Sequence, residues 1–165
     1  MQTTDISANL GRLFSELVDG TPGRGGYVLN SGDIGLLRSL EKVSAEDASR
    51  AVNDGATIAA HAQHVRYGLG LMNRWAREGG NPFADAKWDE AWKLQAVDAA
   101  QWDEIRSGLR DETHEWLRVL NTPREVSPVE LSGMISSIAH VAYHFGAIRQ
   151  INKDARGPRE GTFET

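Results

Sequence analysis

Apolar residues in this chain recur every three or four positions over four long stretches, and no stretch alternates long enough to make a convincing strand. An α-helix turns once every 3.6 residues, so this spacing gathers one apolar stripe, which has to be buried against another element. In "DISANLGRLFSELVDG" the stripe is Ile6, Leu10, Leu13, Phe14 and Leu17, and Gly20 ends it. A second run spans about residues 55 to 78, with an apolar centre of Ile58, Val65, Leu69 and Met72, and Gly79, Gly80 and Pro82 stop it. The third begins near Asp98, where Gln101 three residues on completes a capping box. It carries Ile105, Leu109, Trp116, Leu117 and Leu120 before Asn121 and Pro123 close it. The fourth opens on "SPVE": Ser127 as N-cap, Pro128 in the first helical position and Glu130 closing the box. Its apolar centre is Leu131, Met134, Ile138 and Phe145, and it runs to about Lys153.

Between these runs, "TPGRGGYVLNSGD" is loop by composition, "IGLLRSLEKV" is a short helical piece, and "NPFADAKWDEAW" is a connector with two Trp. The tail "DARGPREGTFET" is expected to be mobile. The reading is therefore all-α, a four-helix bundle in one domain of residues 1–165 with its core at about 6–153.

Composition narrows the chemistry. The chain of 165 residues has a formal net charge of -5 and no basic patch, which argues against nucleic acid as a partner. No apolar run is long enough to span a bilayer. The first residues show no charged segment followed by an apolar one, so the cytoplasm is the default expectation. Cys is absent, so any metal must be held by His and carboxylate.

The polar residues that do not belong in this pattern are histidines. "SSIAHVAYHFGAIRQI" puts His140 and His144 one turn apart among Ile, Val, Ala and Phe. Both lie on one shoulder of the helix, about 40° apart, beside the small residues Gly133, Ser137 and Ala147. The second helix has a similar shoulder, His64 beside Gly68 and Trp75, with His61 nearer the apolar centre. Two His four apart point the same way and can chelate one cation. A third from a facing helix leaves positions open, the pattern of a catalytic metal site. On helical position alone His61 competes with His64, since it points deeper. An ordinary core or surface histidine accounts for any one of these singly, and His114 in "RDETHEW" reads as solvated.

"IAAHAQHVRYGLGLMNRW" and "IAHVAYHFGAIRQI" resemble the two signature segments of the DinB/YfiT-like family of metal-dependent proteins. His64 followed by Val65 matches the first element; His140 and His144, with Gly146 and Ile148 trailing, match the second. Ala147 stands where the family commonly has Gln, so any role of that Gln is absent here. The likeness covers about residues 6 to 153 and leaves out the loop around 20–35 and the connector around 81–95. It implies a DinB/YfiT-like four-helix bundle with His64, His140 and His144 as metal ligands. It also implies Zn²⁺ or Ni²⁺, with Fe²⁺ a further option, and a transferase or hydrolase acting on a small thiol or its adduct. A homodimer is implied as well. For substrate contacts the residues offer Tyr67, near His64, and Arg149, a site for an anion. Trp88, Trp92 and Trp102 are candidates for a pocket wall, and no general base is identifiable. The competing class is a non-catalytic dimeric bundle whose metal only stabilises it.

Overall fold

The computed structural model describes residues 6–21 and 25–158. Within them the chain is all-helical, without a β-strand: α1 (Ser7–Asp19), α2 (Gly35–Glu41), α3 (Ala45–Ala48), α4 (Ile58–Glu78), α5 (Trp88–Trp92), α6 (Ala99–Asn121), α7 (Pro128–Ile151) and a closing 3-10 turn (Lys153–Ala155).

The helix boundaries follow the capping chemistry. Asp98 and Ser127 both form complete capping boxes with Gln101 and Glu130, and Pro128 occupies the first position of α7. The second long helix starts at Ile58 rather than near Gly55, because the Thr57 hydroxyl accepts the N–H of Ala60. Its end is set by Gly79, whose φ of 69° lets its N–H return to the Trp75 carbonyl. Two short helices were not distinguished in the sequence: α3, and α5 inside the Trp-containing connector.

The four long helices pack in a ring of contacts: α1 lies against α6 and α7, and α4 lies against the same two. Their stripes meet in a contiguous core that includes Phe14, Leu17, Val65, Leu109, Trp116, Met134, Phe145 and Ile148. Leu13, Leu117 and Leu131 sit at its edge, half-buried. No described helix is long and apolar enough to cross a membrane.

Of the tail, residues 154–158 are described and 159–165 lie outside the described part. Asn152 caps the 3-10 turn through the N–H of Asp154, and Ala155 is fully buried. Gly157 lies so close to Asp33 that a Cβ there would fall 2.1 Å from Oδ2. The segment is held because it packs on the loop ahead of α2.

Candidate metal centre

α4 and α7 run antiparallel, and their facing shoulders carry the histidines. His61 meets His144 and His64 meets His140, while further along Gly133 receives the ring of Trp75. The shoulder of small residues is what lets these two helices approach. A Cβ on Gly133 would stand 2.6 Å from the Trp75 indole.

Three imidazole nitrogens converge. His64 Nε2 and His144 Nε2 each lie 3.0 Å from His140 Nε2, and the ligand atoms of all three are within 4.8 Å of one another. This group could hold a metal ion. With metal–nitrogen bonds of about 2.0–2.1 Å, a separation of 3.0 Å subtends roughly 90° at a shared cation. Three nitrogens so placed occupy one face of a coordination sphere and leave the opposite side free.

Protonation chemistry favours the same reading. A neutral imidazole carries one N–H and one lone pair. His140 Nε2 faces two partners at hydrogen-bond distance, yet it has a single site with which to donate or accept. Neutral rings can satisfy one pair well and must crowd the third, whereas one cation takes all three lone pairs. A second proton does not resolve this. Burial, with His140 and His61 adding, holds His64 down to about 4. Burial, then His140, His64 and His61, hold His144 at about 3. Burial also lowers His140 and His61. All four rings are therefore neutral near pH 7, the state in which imidazole ligates.

His61 is placed apart from this triangle. Its Nδ1 lies 2.9 Å from Nδ1 of His144, on the far side of that ring. If His144 presents a bare Nε2 to the cluster, its Nδ1–H donates to His61, which fixes both tautomers. Position on the helix does not separate the two: His61 and His64 are buried about equally, and His64 is the one that joins the group.

Aromatic rings wall the cluster. Trp92 stacks on His64 at 4.3 Å and 25° and also touches His61 and His144, while Trp88 leans on His64 at 5.5 Å. Both come from α5, where a spacing of four puts them on one face. Trp102, the third candidate, does not take part; it is buried on α6 and donates to the Val43 carbonyl. Tyr143, largely exposed, sets its ring edgewise to His144 at 4.9 Å, a contact that no pattern in the chain singles out.

Both residues suggested for substrate contact have partners within the chain. The Tyr67 hydroxyl accepts the Lys87 N–H at 2.8 Å and its ring meets Trp88 edge-on, so it staples the connector to α4. Arg74 assists, donating to the Pro82 carbonyl. Arg149 gives its guanidinium to Asp33, both of whose oxygens lie 2.7 Å from one nitrogen, and packs over Phe145. His114 is exposed, as expected.

No protein-family model, no curated protein and no solved structure matches this chain significantly.

Proposed function

We propose that His64, His140 and His144 hold a divalent cation and that the chain is a metal-dependent enzyme acting on a small molecule. The observation that carries this is the convergence of three neutral Nε2 atoms on one point, two of them 3.0 Å from the third. The resemblance of the two His-bearing segments to the DinB/YfiT-like family supports a bundle of that type and a transferase or hydrolase working on a thiol or its adduct. Zn²⁺, Ni²⁺ and Fe²⁺ all suit three imidazoles. Bound there, such an ion supplies Lewis acidity that activates a water or a thiol.

The protein's own residues supply the rest. His61 holds His144 in the ligating tautomer. Trp88 and Trp92 keep bulk water off the His64 face and fix its ring plane. Tyr67 and Arg74 hold the connector that carries both Trp.

The test is metal analysis of protein prepared without a polyhistidine tag, alongside His144→Ala. Near one equivalent of metal is expected in the wild type and little in the variant, which stays folded because Ala is the better helix former. Full metal content in His144→Ala would sink the assignment.

A further inference from the structure

Beside the histidines lies a cleft of about 630 Å³ whose described lining contains no charged side chain. It runs between α4 and α7 under the connector, from Val129 to His140 along α7, or about 16 Å at 1.5 Å per residue. Leu69, Met72, Trp75, Phe83 and Trp88 make its walls, and His140, its one titratable residue, stands at the cluster end. Gly68 sits at that junction. A Cβ there would just touch the His140 ring at 3.5 Å and Trp88 at 3.7 Å, so a larger side chain at this position would fill the space between cleft and cluster.

A second cleft is different. A cleft of about 410 Å³ on the other side of α4 is lined by Arg66, Arg74, Glu104 and Glu112. Of these two clefts the one beside the histidines is the apolar one, and its size suits a small organic molecule rather than water alone.

Resting on the metal reading above, we propose that this cleft selects an uncharged, elongated, largely apolar molecule lying between α4 and α7 with a single metal-binding donor atom at the His140 end. A carboxylate or phosphate arm would lose its hydration there and find no cation to replace it.

A matched pair of probes tests this: 4-phenylimidazole and imidazole-4-acetate share a donor and differ in an apolar against an anionic arm. Calorimetric titration into Zn²⁺-loaded protein at pH 8 is expected to show the phenyl compound at least tenfold tighter, with a negative heat-capacity change. Indole, which brings no ligating atom, should bind loaded and stripped protein alike. Ser136→Phe fills the cleft from an exposed position and should weaken 4-phenylimidazole and indole at least tenfold, leaving zinc content and imidazole binding unchanged. Gly68→Leu, closing the passage, is the second variant. Equal affinities for the two imidazoles, no binding of indole, or indifference to both substitutions would overturn the proposal. Failure to take up zinc with indole binding intact would overturn the metal reading alone. Zinc uptake without selectivity would overturn this inference alone.

Discussion

Two regions of this molecule bury ionisable side chains, and they treat them in opposite ways. Where the loop before α2 meets α1 and α7, every buried charge has partners. Glu16, 4% exposed, accepts the N–H groups of Tyr27, Val28 and Leu29 at 2.6–2.8 Å. Burial alone would push its carboxyl up, but those donors together with Arg12 hold it below its ordinary value. Asp33 accepts from Arg149 and from the Gly35 N–H. Gly35 itself, at φ 75°, passes so near Gly20 that a Cβ would lie 2.4 Å from its nitrogen. At the histidines burial comes without a counter-charge, and the ring nitrogens meet only one another. Four rings are desolvated beside one another, no carboxylate is within the cluster, and His64 Nδ1 has no partner. Burial with opposite charges paired locks a loop in place. Burial without a counter-charge keeps imidazoles neutral and their lone pairs aimed at one point, which suits a ligand site rather than a scaffold.

The contrast breaks if the two regions respond alike to the loss of one member. Asp33→Ala leaves the Arg149 guanidinium, only 18% exposed, without its counter-charge. Breaking a buried pair in this way costs about 3–5 kcal/mol, so the urea midpoint should fall steeply. His144→Ala in metal-stripped protein removes a neutral ring from a crowded cluster and should shift the midpoint far less. Equal losses would mean that His144 is an ordinary core residue.

Acid separates the regions by pH. The folded-state values of His64 and His144, about 4 and about 3, lie below the unfolded value of 6.5, so the unfolded chain takes up protons first. Stability of the metal-free protein is therefore intact above pH 6.5 and lost as pH falls towards 4, by on the order of 3 kcal/mol for His64 alone. Glu16 has its value lowered from 4.5, so its contribution is present above that pH and is lost only on further acidification. Thermal unfolding from pH 8 to 4 should show the histidine limb first. His64→Gln should flatten that limb and Glu16→Gln should leave it unchanged. A wild-type curve flat down to pH 4.5 would refute the account.

The comparison also explains what could be read from the sequence. Long helices and their caps are local: Ser127, Pro128, Glu130 and the pair Asp98 and Gln101 act within one turn, and the structure starts helices where those residues put them. His140 and His144 were legible for the same reason, since a spacing of four fixes their common direction. Which histidine of α4 faces them was not fixed by position on the helix. That depends on the rotation of α4 against α7, set by contacts such as Trp75 in the notch at Gly133. The partners of Arg149 and Tyr67 were not legible, because Asp33 and the Lys87 N–H are 116 and 20 residues away in the chain. The apolar cleft needs the connector folded back over α4, and no local pattern in "NPFADAKWDEAW" specifies that.

The finest distinction lies within the cluster, between a ligand and the residue that orients it. His61 and His64 are one turn apart on α4 and both buried, yet only His64 points a nitrogen into the triangle. His61→Phe keeps a ring against Trp92 and removes the acceptor for His144 Nδ1–H. Loss of such an outer partner typically lowers metal affinity 10–100-fold, against near-complete loss for a ligand. Titration with Zn²⁺ against a competing chelator at pH 7.5 should rank wild type, then His61→Phe, then His64→Phe. His61→Gln, which restores an acceptor oxygen, should recover part of the difference. If His61→Phe abolishes binding while His64→Phe retains it, the roles are reversed and His61 is the ligand. If neither substitution changes the affinity, the cation lies elsewhere, and the crowding of the three Nε2 atoms has only a packing cause.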